Sequence, residues 1–184
     1  YPKARLELRT KTTTIENLLN IEPAGNIVVS WTFSPQVIID NHEDKAPSLE
    51  ERLRAAVDVQ NAGYNVGICL DPIILCDGWF DHYKTMLEKI IERLDMESVR
   101  FISLGGFRYL PSLSKVIKER DPQTNLLLSE FVPCVDGKHR YFRPIRVEAY
   151  KEIGTVIREL NKDVKISLCM ETPEVWNSVK DVLK

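Results

Sequence analysis

The sequence has few cysteines, and they lie far apart. The four are Cys69, Cys76, Cys134 and Cys169, which is too few and too dispersed for a disulfide framework. None belongs to a C-x-x-C pair, and the three histidines are scattered as well. We therefore expect no metal site built from this chain alone, and a reducing compartment, by default the cytoplasm.

Long apolar runs and a strong net charge are also missing. No run approaches the roughly 18 residues that a membrane-spanning helix needs, and no signal-peptide pattern opens the chain. The net charge is −2 over 184 residues, so the molecule as a whole does not attract nucleic acid and any basic binding face must be local. Length and composition suit one globular domain without a membrane partner.

What the sequence does contain is a series of short apolar runs, each followed by a polar cluster and then by a helical pattern. The runs are Leu6–Leu8, Ile27–Val29, Val66–Leu70, Phe101–Leu104 and Ile166–Met170. Short buried strands that alternate with amphipathic helices predict an α/β fold with a parallel sheet covered by helices. Ligands of such sheets bind beyond the carboxyl ends of the strands, so we expect a site at that rim.

Several helices are marked by their ends. Ser48 with Glu51 three residues later forms a capping box, and Gly63 supplies the stop of the same helix. Pro111 is expected to begin a shorter helix, and Thr172-Pro173 begins the last one. The apolar stripes of these helices are interpreted as core packing against the sheet.

Two segments interrupt the βα pattern. Residues 33–47 form a long connection, which makes them a candidate lid or substrate loop. In residues 126–144, Leu126–Leu128 resembles a short strand, Asp136-Gly137 is a hairpin signal, and Lys138–Arg143 alternates as a returning strand. We predict βα units over residues 1–125, a β-hairpin insertion over 126–144, and a helix–strand–helix over 145–184 that completes the same domain.

The returning strand of this hairpin combines cations with aromatic rings. Alternation puts Lys138 and Arg140 on one face and Tyr141 and Arg143 on the other. Basic residues interleaved with aromatics suit a nucleic-acid backbone and a displaced base. Composition alone favours a simpler interpretation, in which the charges keep an exposed sheet edge from aggregating.

Beyond composition, a long stretch and several short ones occur in a recognisable order. Glu51–Trp79 reads as a helix, Ala-Gly-Tyr, a strand, Pro-Ile and Gly-Trp. Strands ending at Thr10-Lys11 and Ser30-Trp31-Thr32 precede it, and Gly105–Arg108 and the Lys138–Arg143 hairpin follow it. In order and spacing, over nearly the whole chain, these segments resemble the spore photoproduct lyase family, although no single motif is diagnostic.

The resemblance implies a radical S-adenosylmethionine enzyme built on a partial (β/α) barrel of parallel strands, with a β-hairpin insertion. In such proteins a 4Fe-4S cluster, bound by a C-x-x-x-C-x-x-C loop, splits S-adenosylmethionine into methionine and a 5′-deoxyadenosyl radical. In the lyase the radical opens the carbon–carbon bond that links two adjacent thymines in damaged DNA. The implied cofactors are S-adenosylmethionine and the 4Fe-4S cluster, and the implied partner is damaged DNA.

The sequence departs from the family pattern at the cluster. No C-x-x-x-C-x-x-C occurs in it, and the family's hydrogen-donor cysteine belongs to an earlier strand. Either the chain is part of a longer enzyme whose cluster ligands lie upstream, or it is a cluster-free relative. We favour the first, in which these residues alone are inactive. A half barrel leaves an unpaired edge strand, which a missing amino-terminal half or self-association would cover.

Matching positions imply roles in cofactor binding for three residues. Lys11 and Ser30 resemble the family residues that contact the amino-acid end of S-adenosylmethionine, since an ammonium pairs with a carboxylate and a hydroxyl can bond beside it. Taken alone, Lys11 is a solvent-exposed strand end and Ser30 a core hydroxyl bonded to backbone. Asp71 sits where the next strand reaches the nucleoside, although the family does not require an acid there.

Substrate binding is assigned to the rim and the hairpin. Arg108 can hold a phosphate or a carboxylate bidentately; its alternative role is an ion pair with an acid such as Glu130 or Glu171. The hairpin residues that match the family's DNA-holding hairpin, where a flipped base needs an aromatic or cationic surface, are Lys138, Arg140, Tyr141 and Arg143. Catalytic residues are not identified from the sequence.

Three functions remain open at this point. The first is the substrate-side portion of a radical DNA-repair lyase. The second is a cluster-free module that binds nucleic acid or a nucleotide without chemistry. The third is a radical S-adenosylmethionine enzyme with a substrate other than DNA, which the near-neutral charge leaves possible.

Overall fold

The computed structural model describes residues 3–184, and its central element is a sheet of five parallel strands. These are β1 (Leu6–Thr10), β2 (Ile27–Thr32), β3 (Asn65–Ile73), β4 (Val99–Gly106) and β8 (Ile166–Leu168). They lie in the order β1-β2-β3-β4-β8, and each pair of neighbours is parallel. The predicted α/β class and parallel sheet are confirmed, and the strand order is consistent with a partial barrel.

Seven helices connect and cover the strands in the described part of the chain. They are α1 (Glu16–Leu19), α2 (Gln36–His42), α3 (Leu49–Asn61), α4 (Trp79–Arg93), α5 (Leu113–Arg120), α6 (Arg143–Leu160) and α7 (Pro173–Leu183). The predicted capping box of Ser48 and Glu51 is present, and Gly63 follows α3 with a left-handed φ of 95°. None of the helices within residues 3–184 has the length and apolarity needed to cross a membrane.

The two faces of the parallel sheet have opposite character. One face is packed against the helices and contributes apolar side chains to a single core: Val29, Trp31, Val66, Ile68, Leu70, Ile102 and Leu104. Because side chains alternate along a strand, the intervening residues occupy the other face, called the inner face below. Apart from Val28 and Phe101, this face carries mostly polar or small residues, among them Arg9, Ser30, Gly67, Cys69, Asp71, Ser103 and Gly105.

The segment from residue 33 to 47, predicted as a candidate lid, is not an open loop. It contains α2, which follows Pro35 and buries Ile38 and Ile39 in the interior. The carboxyl end of α2 leads to Glu43, whose carboxylate is hydrogen-bonded inside the domain. The segment is therefore a packed helix rather than an open loop, since two apolar side chains and a buried carboxylate attach it to the rest of the fold, and its role as a lid or substrate loop stays a prediction.

A second, antiparallel sheet lies at the carboxyl end of the first. Its strands are β5 (Arg108–Tyr109), β6 (Phe131–Pro133) and β7 (His139–Tyr141), in the order β5-β7-β6. The hairpin of β6 and β7 was expected, but the predicted strand at Leu126–Leu128 is wrong: those residues form a turn. The returning strand is also shorter than predicted, because Arg143 already begins α6, with Pro144 in its first turn.

Three buried tyrosines bind backbone N–H groups where β3 and β4 end. The hydroxyl of Tyr83 accepts from Ile74 N at 2.9 Å, and that of Tyr141 accepts from Leu75 N at 3.1 Å. Tyr150 does the same for Gly106 N at 2.7 Å. Backbone groups that leave a sheet inside a protein must find other partners. Here tyrosine hydroxyls from α4, β7 and α6 accept these hydrogen bonds. The bonds attach the three elements to the rim.

The capping box gives a direct test of the helix boundaries. Ser48→Ala removes the acceptor of the Glu51 N–H, 3.3 Å away in the capping box, and should lower the free energy of unfolding by about 1 kcal/mol. Ser112 precedes α5 without a side-chain capping bond, so Ser112→Ala should change it by less than about 0.5 kcal/mol. Urea denaturation measures both; equal effects would contradict the assignment.

Candidate functional site

An ion pair between Asp71 and Arg108 occupies the rim of the inner face. Arg108 donates from Nη1 to Asp71 Oδ1 at 2.7 Å and from Nη2 to Oδ2 at 3.2 Å, which is the bidentate geometry of strong guanidinium–carboxylate pairs. Arg9 Nη1 lies 3.8 Å from the same carboxylate. The expected alternative role of Arg108, an ion pair with an acid, is thus observed, but its partner is neither Glu130 nor Glu171.

Gly105 makes room for this pair. A Cβ atom at Gly105 would lie 2.6 Å from Asp71 Oδ1 and 2.7 Å from its Cγ, closer than non-bonded carbon atoms tolerate. Burial alone would lower the pKa of Arg108, but the hydrogen bonds to Asp71 outweigh it and raise the pKa. The guanidinium therefore stays charged beside the cleft.

A cleft of about 480 Å³ opens beside the ion pair. The rings of Phe107 and Tyr109 form one wall, stacked with centroids 5.7 Å apart and planes 24° apart. Its charged lining consists of Arg9, Asp71, Arg108 and Lys138. Three cations against one carboxylate leave an excess positive charge beside a partly exposed aromatic surface, which suits an anion attached to a flat ring.

A larger hollow, about 990 Å³, opens at the amino ends of the strands. Its charged lining alternates in sign, with Glu97, Arg100, Asp163 and Lys165 among the residues. Mixed charges attract no particular ligand, and parallel sheets carry their sites at the carboxyl ends of the strands. We therefore assign the functional site to the smaller cleft.

Two of the hairpin residues predicted to bind substrate are used inside the protein. Arg140 is 6% exposed and donates to Asp136 Oδ1 at 2.6 Å and Oδ2 at 2.7 Å, which holds the pKa of Asp136 well below its usual range. Tyr141 is 2% exposed, and its ring stacks on Phe131 at 4.7 Å. Although Arg140 is buried, it and Lys138 both reach Met170, so these two side chains lie on one side of the hairpin as predicted. Arg143, predicted on the other face of the strand, belongs to α6 instead.

The other hairpin residues remain available to a ligand. Lys138 lines the cleft together with Arg108, and its ammonium lies 3.9 Å from the sulfur of Met170. Arg143 is exposed at the start of α6. The structure thus brings Lys138, Arg108 and Asp71 to one cleft, whereas Arg143 lies outside it.

Ser30, predicted to bind the cofactor, lies on the inner face with its hydroxyl unused. Its side chain is buried, and within residues 3–184 its Oγ is the one buried side-chain oxygen or nitrogen without a hydrogen-bond partner. The alternative role, a core hydroxyl bonded to backbone, is therefore not observed. Gly67 lies opposite, where a Cβ would be 2.3 Å from Ser30 Oγ and 2.8 Å from Cζ of Phe101. An unsatisfied buried hydroxyl costs free energy until a partner arrives.

Lys11, the second predicted cofactor residue, follows β1 at the rim. Thr10 pairs with Trp31 in the sheet register, so Lys11 comes two residues beyond the level of Ser30 on the neighbouring strand. Its ammonium lies 3.0 Å from Oε2 of Glu43. Burial would raise the pKa of Glu43, but hydrogen bonds from Ser34, Arg52 and Lys11 outweigh it and lower the pKa.

Glu43 and Glu171 are the residues that the sequence interpretation missed. Glu171 was named only as a possible partner of Arg108, but its side chain is 2% exposed and pairs with Arg146 at 2.9 Å. Tyr150 also donates to Glu171, at 2.8 Å. Both carboxylates owe their role to contacts between distant parts of the chain, for which the sequence contains no local signal.

The cysteines do not converge on a metal site. Within the described range 3–184, no three His, Cys, Asp or Glu side chains are arranged to hold a metal ion, and all four cysteines are free thiols. Burial raises the pKa of Cys69 to about 12. Burial also raises that of Cys169, whose sulfur lies 3.7 Å from Arg108 Nη2. Neutral thiols are poor metal ligands.

The packing of Gly105 against Asp71 predicts a selective effect of one methyl group. Gly105→Ala should displace the Asp71 carboxylate, break its ion pair with Arg108, and lower the free energy of unfolding by about 1–3 kcal/mol. Gly25 is the control, because a Cβ there meets nothing within 4 Å, so Gly25→Ala should stay within about 0.5 kcal/mol of the natural protein. Chemical denaturation compares the two, and equal stability would contradict the close approach.

Comparison with known proteins places these features in a family. The family model described as spore photoproduct lyase matches residues 1–155. Among curated relatives, spore photoproduct lyase of Geobacillus sp. is 30% identical over 129 residues, which cover 68% of this chain and 38% of the relative. That of Clostridium acetobutylicum is 25% identical over 127 residues, covering 69% of this chain and 38% of the relative. The chain therefore spans well under half the length of these relatives.

Solved structures agree in fold. A spore photoproduct lyase variant with bound AdoMet and dinucleoside spore photoproduct superposes with a TM-score of 0.77 at 22% identity, covering 89% of this chain and 50% of that one. A spore photoproduct lyase complexed with dinucleoside spore photoproduct gives the same values. Since the family match extends over residues 1–155 of the 184, the chain belongs to the spore photoproduct lyase family.

Proposed function

We propose that this chain is the substrate-side portion of a radical S-adenosylmethionine lyase that reverses a thymine–thymine photolesion in DNA by breaking a carbon–carbon bond. The observation that carries the proposal is the cleft in which Arg108 and Lys138 face the stacked rings of Phe107 and Tyr109. A flipped lesion presents flat bases and a phosphate, which match a ring surface and cations respectively.

Within this proposal the predicted substrate residues divide into two groups. Lys138 and Arg108 contact the lesion, and Arg143, exposed beyond the cleft, reaches the DNA backbone outside it. Arg140 and Tyr141 act indirectly, since their bonds to Asp136 and Leu75 hold the hairpin in place. The near-neutral net charge of −2 fits a local electrostatic contact rather than a general affinity for DNA.

S-adenosylmethionine fits the inner face next to this cleft. The unpartnered hydroxyl of Ser30 and the ammonium of Lys11 offer a donor and a positive charge for the carboxylate of its amino-acid end. Asp71 lies on β3, the neighbour of β2 that carries Ser30, and its oxygens, which already accept from Arg108, have lone pairs left to accept from the nucleoside hydroxyls. When bound, the cofactor would supply the species that removes hydrogen from the lesion.

The 4Fe-4S cluster does not fit the residues of this chain. Its cysteines are dispersed in sequence and, over residues 3–184, form no ligand group with other side chains, so no step through the cluster is assigned to them. We propose that the cluster and the remaining strands come from an amino-terminal half, or that a second copy covers the open edge. Leu6 and Leu8 of the edge strand β1 are 50% and 38% exposed, as expected of a surface that another element covers. The free thiols favour the cytoplasm as the compartment.

Lys138 provides the test of DNA binding. Lys138→Ala should weaken binding of an oligonucleotide that contains the lesion and should reduce the slope of log Kd against log salt by about one. Lys89→Ala removes an exposed lysine from α4 and should leave both quantities unchanged. Fluorescence anisotropy over a salt series measures them, and an unaltered slope for Lys138→Ala would reject its role.

Lys11 provides the test of cofactor binding. Lys11→Ala should weaken S-adenosylmethionine binding about tenfold, which corresponds to the loss of one charge-assisted hydrogen bond. Isothermal titration calorimetry with the full chain measures the dissociation constant, and Lys89→Ala is again the control. An identical constant for Lys11→Ala would remove Lys11 from the site.

A further inference from the structure

Glu43 joins the ends of two strands to two helices. Its side chain is 9% exposed and follows directly on α2. Its carboxylate accepts from Ser34 Oγ at 2.7 Å and from Arg52 Nη2 at 2.5 Å, and it pairs with Lys11 Nζ at 3.0 Å. The position of the Lys11 ammonium is thus tied to a carboxylate that is itself held from inside the domain.

Arg52 adds a second positive charge next to the Glu43 carboxylate. Its guanidinium is completely buried and also donates to the carbonyl oxygens of Pro47 at 2.9 Å and Thr32 at 3.1 Å. Without Arg52, Lys11 and Glu43 would form a neutral pair with little attraction for an anion. With it, one carboxylate lies between two cations and a positive charge remains at the rim.

The Lys11 ammonium keeps capacity for a further partner. An ammonium carries three N–H donors, and the contact with Glu43 uses one of them. Its side chain is 38% exposed, so a ligand can reach the others. A cation that is already held in place loses less conformational freedom when a ligand binds, which favours affinity.

We propose that Glu43 and Arg52 are positioning residues, which hold the Lys11 ammonium for the carboxylate of an amino-acid ligand without cancelling its charge. This inference rests on the proposed role of Lys11 in binding S-adenosylmethionine. Glu43 fixes the place of the ammonium, and Arg52 compensates the charge of Glu43. Neither residue contacts the ligand.

A positioning role for Glu43 predicts the opposite change in ligand affinity from simple repulsion between Glu43 and an anionic ligand. If Glu43 acted only as a negative charge near an anion site, its removal would strengthen binding of a carboxylate. If it positions Lys11, its removal weakens binding although the site becomes more positive. For removal of Glu43 alone, the two explanations therefore predict affinity changes of opposite sign.

The test uses a double variant, because Glu43→Gln alone would leave Arg52 buried without a carboxylate, which is strongly destabilising. The combination Glu43→Gln with Arg52→Met removes one charge of each sign and keeps an unbranched side chain in the core. Because the net charge is unchanged, charge counting predicts an unaltered affinity for this variant, whereas the positioning role predicts a weaker one. The matched control is Glu50→Gln with Arg93→Met, which removes the exposed ion pair of α3 and α4 whose atoms are 2.6 Å apart.

Calorimetry with the full chain should give an affinity for S-adenosylmethionine about five- to tenfold lower in the Glu43/Arg52 variant, the size of one charge-assisted hydrogen bond. The affinity for 5′-methylthioadenosine, which lacks the amino-acid carboxylate, should not change. Adding Lys11→Ala to this variant should cause no further loss, because the two changes remove the same interaction. The Glu50/Arg93 control should bind both ligands as the natural protein does.

A second readout does not depend on the cofactor. Without ligand, acetylation of Lys11 by an N-hydroxysuccinimide ester, followed by mass spectrometry, should be several times faster in the Glu43/Arg52 variant than in the natural protein or the control. Equal acetylation, or equal affinity of natural and variant protein for S-adenosylmethionine, would overturn the positioning role and leave the proposed function intact. Failure of the natural protein to bind S-adenosylmethionine at all would instead overturn the cofactor assignment, and this inference with it.

Discussion

The architecture of the rim depends on how backbone N–H groups are satisfied where β3 and β4 leave the parallel sheet. Beyond the last ladder bond these groups point into protein, where an unpaired donor is costly. Tyr83, Tyr141 and Tyr150 solve this problem with hydroxyls that come from three different elements. The same bonds therefore attach α4, the hairpin and α6 to the carboxyl end of the sheet, which is the end that carries the cleft.

The cleft follows from these attachments. Tyr141 fixes β7 against the end of β3, and Arg146 of α6 donates to the carbonyl oxygen of Tyr141 while pairing with Glu171 after β8. Lys138 is thereby placed opposite Arg108, although the two residues are 30 positions apart in the sequence. The cations Arg9 and Lys138 that line the cleft are partly exposed, whereas Arg140 and Arg146, which hold the hairpin and α6, are buried. Solvent exposure therefore distinguishes ligand-binding residues from positioning residues better than residue type does.

Much of the fold was predictable because its signals are local. The capping box at Ser48, the stop at Gly63 and the apolar runs of the strands each require only a few neighbouring residues, and the structure confirms them. The resemblance in order and spacing also identified the family that the sequence comparison establishes. Of the hairpin, the turn at Asp136-Gly137 was correct, but Leu126–Leu128 misled because an apolar triplet also occurs in turns.

Fewer of the site residues could be predicted. A sequence does not show whether a basic residue will be paired with an acidic side chain in the fold or left free for a ligand. Arg140 lies two residues from Lys138 and has the same charge, yet both of its terminal guanidinium nitrogens bond to Asp136. Likewise Lys11 was identified from its position, whereas Glu43 and Arg52 become its neighbours only when α2 and α3 fold against the strand ends.

The bond between Asp136 and Arg140 gives the hairpin tip an unusual sensitivity to length. Tips of hairpins ordinarily accept inserted residues without consequence for the rest of the protein. Here the carboxylate and the guanidinium face each other across the turn, with Gly137 in a left-handed conformation between them. An extra residue at that point would shift the register of the returning strand and carry Lys138 away from the cleft. The number of residues in this turn thus sets the distance between the Lys138 ammonium and the parallel sheet.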